Sequence, residues 1–140
     1  MGWQDLHLHR FEAGGWGDEV SEASTLAQIA GPGDRLGYVY DFGDFWCHLL
    51  EVDKVLTRPR PGTVYPRCTA GRGACPPEDT GGPPGYAWLL AGLRHRTGAR
   101  YRETCEHLGR RFDPAAFDRG EVNTTLAALA AHNATTTAPE

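Results

Sequence analysis

Alternation of apolar and polar side chains predicts strands in two parts of the chain. Over residues 5–12, Leu6, Leu8 and Arg10 fall on one face and His7, His9 and Phe11 on the other, the period of a short strand. The run Leu36-Gly-Tyr-Val-Tyr-Asp-Phe42 is β-rich and aromatic, Gly43-Asp44 is turn chemistry, and Phe45 to Val52 is a second run of strand length. A hairpin follows, with Trp46, His48, Leu50 and Val52 on one face and Phe45, Cys47, Leu49 and Glu51 on the other. Helical patterning is sparser. Residues 24–29 make a turn or two, stopped at Gly31-Pro32-Gly33; Tyr86 starts a helix that reaches Leu93, and residues 101–108 add another turn or two. Asp113 followed by Pro114 reads as an N-cap with proline at the first helical position. The last helix runs through Val122, Leu126 and Leu129 to about His132, leaving 133–140 as a disordered tail.

Composition tightens this picture. At 140 residues the chain is one small domain, expected over 1–132. Leu, Val, Phe and Ile supply only 25 residues, while Gly and Pro supply 28, so much of the backbone is spent on turns rather than packed elements. A net charge of -4 is too small to keep such a chain unfolded. Seven of the ten prolines and six of the 18 glycines lie within residues 58–85, and Tyr65, Cys68, Cys75, Glu78 and Asp79 stand between them. A loop that long in a compact domain is disordered or functional, and those side chains favour an ordered, functional one. The acidic balance provides no global field for a polyanion. No apolar run reaches membrane-spanning length and no secretion signal opens the chain, which predicts a cytoplasmic protein with no membrane partner.

Candidate chemistry falls into four groups. His7 and His9, two residues apart on a strand, present two imidazoles to one side, and His48 can supply a third ligand to a divalent metal such as zinc. Asp41 and Asp44 are close enough in sequence to complete a His and carboxylate site; the bland alternative is a set of hydrogen-bonded surface histidines. Cys68 and Cys75 form a weaker metal-ligand pair. Their spacing is too wide for a zinc knuckle, and no second cysteine pair follows, so two small residues in a tight loop are the competing account. Asp44, Glu78 and Asp79 are the candidate catalytic carboxylates, although adjacent carboxylates such as Glu78 and Asp79 normally point apart and one can serve as a turn cap. Arg94, Arg96, Arg100, Arg102, Arg110 and Arg111 read either as a solvated helix face or as a nucleic-acid patch. Neither glycine-rich stretch opens onto a helix in the way a phosphate loop requires.

Several segments resemble the plasmid pRiA4b ORF-3-like family, whose members are also labelled passenger TnpR proteins of an insertion element. They are Gly2-Trp-Gln-Asp-Leu-His-Leu-His-Arg-Phe11, Tyr38-Val-Tyr-Asp-Phe-Gly-Asp-Phe-Trp-Cys-His48, Tyr65-Pro-Arg-Cys68, Ala74-Cys-Pro-Pro-Glu-Asp-Thr-Gly-Gly82 and Phe112-Asp-Pro-Ala-Ala-Phe117. The resemblance covers nearly the whole chain. It implies an α+β fold, a roll-like curved antiparallel sheet packed with helices. Family members carry strands and a helix ahead of the Gly-Trp motif, so the resemblance also implies a domain lacking those elements, with an exposed sheet edge open to oligomerisation. The functional expectation is an accessory domain associated with mobile genetic elements, acting through protein or nucleic-acid contacts. The alternative is a metal-dependent hydrolytic enzyme using the His and carboxylate groups.

Overall fold

The computed structural model describes residues 2–57, 61–109 and 111–136. The chain divides into two compact units, one formed by Gly2–Thr57 with Pro76–Phe112, the other by Arg58–Cys75 with Asp113–Glu140.

The first unit is α+β. Its strands are β1 (His9–Ala13), β2 (Glu19–Val20), β3 (Arg35–Tyr40) and β4 (Trp46–Glu51), and its helices are α1 (Leu26–Ile29), α2 (Gly82–Leu93) and α3 (Gly98–Leu108). The strands form one antiparallel sheet in the order β2-β1-β3-β4. Register places Phe11, Tyr38 and His48 in one row across the sheet, and Arg10, Val39 and Cys47 in a row on the opposite face. The hairpin expected around Gly43-Asp44 is present. β1, however, starts at His9 rather than at residue 5: Asp5 takes a left-handed backbone (φ 58°) and the chain bends again at His7 before it becomes extended.

Leu36, Tyr40 and Trp46 are buried on the first face, and Leu89 of α2 and Leu108 of α3 are buried within the same unit. Side chains of this size contribute about 1.5–3 kcal/mol each when fully buried. The Trp3 indole stacks on Tyr40 at 4.7 Å, and Tyr86 of α2 meets Trp46 edge-on at 6.1 Å. On the opposite face Val39 is buried and Gly37 lies beneath the β1–β2 connection. A Cβ built on Gly37 would stand 1.8 Å from the Gly15 carbonyl oxygen, so only glycine lets that backbone cross the strand.

α2 begins at Gly82, four residues ahead of Tyr86. Pro83 and Pro84 occupy its first turn, where a missing N–H costs nothing, so the Gly/Pro run read as loop continues directly into helix. In the second unit, α4 (Arg119–Thr136) is capped by Asp118, whose Oδ1 accepts from the N–H groups of Gly120 at 2.6 Å and Glu121 at 3.1 Å. Asp113 instead closes a turn, accepting from the Ala115 N–H at 2.9 Å. α4 continues to Thr136, past the expected stop at His132, and residues 137–140 of the expected tail lie outside the described residues. Asn123 of α4 grips the backbone of Cys68: its Oδ1 accepts from the Cys68 N–H at 2.8 Å and its Nδ2 donates to the Cys68 carbonyl at 3.0 Å. No helix among the described residues is long and apolar enough to cross a membrane.

Candidate functional site

Three chain segments distant in sequence meet at the end of β3 within the first unit. Each is fixed by backbone chemistry. Asp41 follows β3 directly in a left-handed conformation (φ 59°), which Asp tolerates better than most residues, and it turns the chain toward β4. Its Oδ1 accepts from the N–H groups of Gly43 at 2.8 Å and Asp44 at 3.2 Å, while the Phe45 N–H donates to its carbonyl at 2.6 Å. Asp44 then reaches across to the segment preceding α2, where its Oδ2 accepts from the Gly81 N–H at 3.0 Å. The approach leaves no room for a side chain, since a Cβ on Gly82 would lie 2.0 Å from the Asp44 carbonyl oxygen.

The 76–79 segment is tied to the amino-terminal segment by two further bonds. Trp3 Nε1 donates to the Pro76 carbonyl at 2.7 Å, and the Gln4 N–H donates to Glu78 Oε1 at 2.9 Å. The buried Tyr40 hydroxyl donates to the same Glu78 oxygen at 3.1 Å. Burial pushes the Tyr40 phenol above its ordinary value, and the neighbouring Glu78 carboxylate pushes it the same way, so the hydroxyl stays a donor. Glu78 therefore has one oxygen committed and Oε2 facing the site.

His7 sits at the centre. Its Nδ1 lies 3.7 Å from Asp41 Oδ2, while its Nε2 lies 3.5 Å from Asp79 Oδ1 and 4.0 Å from Glu78 Oε2. Asp79, like Asp41, has a left-handed backbone (φ 54°). That geometry turns its carboxylate to the imidazole beside Glu78, so two adjacent carboxylates that would ordinarily diverge serve one group. One ring nitrogen of His7 and one oxygen each from Asp41 and Asp79 lie within 4.8 Å of one another. Tetrahedral coordination at about 2.0–2.1 Å separates donors by about 3.4 Å; one nitrogen and two carboxylate oxygens gathered within 4.8 Å would close onto a small divalent cation by a modest inward shift of the side chains. Asp41 is buried and Asp79 open to solvent, which anchors one side of the cluster and leaves an approach on the other.

The expected three-histidine set is not gathered. His7 precedes β1, so strand alternation does not bring it alongside His9. The His9 ring lies between Asp5 at 3.8 Å and Glu22 at 3.4 Å. His48 is packed against Trp3 and Tyr38, with Nδ1 3.2 Å from the Tyr38 carbonyl. Asp44 serves the loop contact with Gly81 rather than the cluster. Cys68 and Cys75 are free thiols in the second unit; the Cys68 Sγ donates to the Ala70 carbonyl at 3.2 Å. Among the described residues, His7, Asp41 and Asp79 form the sole group of three or more side chains gathered in this way. Local sequence does not single out Trp3 or Tyr40 for this role. The signal present was the recurrence of polar residues inside aromatic runs, His7 four residues after Trp3 and Asp41 directly after Tyr40.

These features define an α+β domain that holds an imidazole and carboxylate cluster where its central hairpin, its amino-terminal segment and the entry to α2 converge. The chain belongs to the plasmid pRiA4b ORF-3-like family, whose model matches residues 1–121. It is 34% identical over 145 residues to an uncharacterised protein, y4hQ, from Sinorhizobium fredii (strain NBRC 101917 / NGR234), covering 94% of this chain and 74% of that protein. The crystal structure of a protein of unknown function, MM3350, from Methanosarcina mazei Go1 superposes with a TM-score of 0.78 at 36% identity, covering 86% of this chain and 75% of that one.

Proposed function

We propose that the His7, Asp41 and Asp79 cluster is a divalent-cation site of the zinc class and that the domain uses it for hydrolytic chemistry in the cytoplasm. The observation that carries this reading is the convergence of one imidazole and three carboxylates from three separate segments, two of the carboxylates on left-handed aspartates. Unpaired, three carboxylates this close repel one another, and a bound cation offsets that cost. His7, Asp41 and Asp79 would hold the ion, and a cation there would supply a water acidified toward neutrality. Glu78, with Oε1 held by Tyr40 and Gln4, presents Oε2 as the proton acceptor for that water.

Protein purified without a histidine tag, equilibrated with zinc or manganese and desalted, should retain about one equivalent of metal. His7→Ala should lose it, and Glu78→Gln should retain it while losing hydrolysis of activated esters or phosphodiesters. Less than a tenth of an equivalent in the wild type, unchanged by His7→Ala, overturns the site.

A second reading, an accessory domain associated with mobile genetic elements acting through protein or nucleic-acid contacts, is supported by the plasmid reference in the family's description and by the arginines around the α2–α3 turn.

A further inference from the structure

The arginines of the α2–α3 hairpin are arranged as surface charge that folding alone does not explain. Residues 82–102 hold four arginines, Arg94, Arg96, Arg100 and Arg102, and no carboxylate, whereas the rest of the chain holds 18 acidic residues against ten basic ones. All four are exposed. Elsewhere Arg10 pairs with Glu12 at 2.6 Å and Arg35 with Glu51 at 3.0 Å, but none of these four lies within salt-bridge distance of a carboxylate among the described residues.

Helix electrostatics accounts for half of the set. Arg94 and Arg96 follow the carboxyl end of α2, where cations complement the helix dipole. Arg100 and Arg102 lie in the first two turns of α3, where the dipole disfavours cations, and α3 has no acidic residue in its first turn to compensate. The Arg100 guanidinium lies over the Trp88 ring at 5.0 Å, while Trp88 remains 45% exposed. An arginine placed over a half-exposed indole, flanked by three further arginines without a carboxylate partner among the described residues, is the combination that binds phosphates and stacks a base.

We infer that this face binds single-stranded nucleic acid, with Arg94, Arg96, Arg100 and Arg102 on the phosphate backbone and Trp88 stacking a base. The inference deepens the accessory reading by naming its partner and surface, and it is independent of the cation site. Arg110, in the same arginine-rich run of sequence, lies outside the described residues.

Fluorescence anisotropy of a labelled 12-nucleotide single strand, DNA and RNA in parallel, tests it on the full chain. Four phosphate contacts predict roughly fiftyfold weaker binding between 50 and 200 mM salt. Arg96→Gln with Arg102→Gln should flatten that slope, and Trp88→Ala should weaken binding about fivefold or more at every salt concentration. His7→Ala should bind the oligonucleotide as the wild type does, so loss of the cation site and loss of this surface read out separately. Thermal melts confirm that the exposed arginine variants fold. No salt-dependent binding, tighter binding to duplex or to anionic vesicles than to the single strand, or binding unmoved by the arginine and tryptophan variants overturns the inference.

Discussion

The two ends of α2 carry opposite charge. Glu78 and Asp79 precede its first turn and join Asp41 around His7; Arg94 and Arg96 follow its last turn and are joined by Arg100 and Arg102 of α3. The helix dipole favours this polarity at both ends. The two ends differ in how the charges are held. The carboxylates are fixed: Asp41 by two backbone N–H groups, Glu78 by Tyr40 and Gln4, and the segment beneath them by the Asp44 to Gly81 bond. The arginines are exposed and free of carboxylates among the described residues, with Arg100 alone placed, on Trp88. Fixed charge preorganises a site for a small, geometrically demanding ligand; exposed charge suits a flexible polyanion.

The largest expected effect lies at the fixed end. Gly82→Val forces a β-branched residue into φ 65° and drives its Cβ into the Asp44 carbonyl. It should cost about 3 kcal/mol or more in denaturant unfolding and abolish cation retention, because Asp79 moves with the displaced segment. Gly92→Ala, at the α2–α3 contact, should cost about 1–3 kcal/mol, since its Cβ meets the Thr104 side chain, and should leave cation retention intact.

Asp41→Ala removes the acceptor for two turn N–H groups and should cost about 1–3 kcal/mol. Asp41→Asn retains an acceptor oxygen, so it should preserve most of the stability while lowering cation affinity about tenfold or more. Equal stability losses with unchanged affinity in both variants would reduce Asp41 to a turn residue.

Tyr40 supplies a pH test. Its phenol is raised in the folded state, so the neutral form is favoured there; the stability this contributes is complete below the ordinary phenol value of about 10 and falls away as pH rises toward the folded value. Wild-type melts should therefore lose stability above about pH 10, and Tyr40→Phe should lose less over that range. The smallest effect belongs to Thr104, a fully buried hydroxyl with no hydrogen-bond partner among the described residues. Thr104→Val should be neutral or stabilise the helix pair by up to about 1 kcal/mol.

Local patterning made the β3–β4 hairpin legible, because its aromatic strands flank a Gly-Asp turn. It misplaced the start of α2 because Pro83 and Pro84 carry the same signal in a loop as in a first helical turn. β2 escaped notice because two residues carry no period. At the site, His7, Glu78 and Asp79 were recognisable as chemistry, but their association depends on long-range bonds, Trp3 to Pro76 and Tyr40 to Glu78, which no local period encodes. The pairing of His7 with His9 followed from extending a strand over residues 5–12, whereas the chain bends at His7 and β1 begins only at His9.

The most direct test of the cation site is anomalous diffraction at the zinc edge from crystals of the untagged chain grown with zinc. One peak bounded by His7, Asp41 and Asp79, absent from crystals of His7→Ala, is the predicted result. No peak there, or zinc held instead at His9, His48 or Cys68, would contradict it.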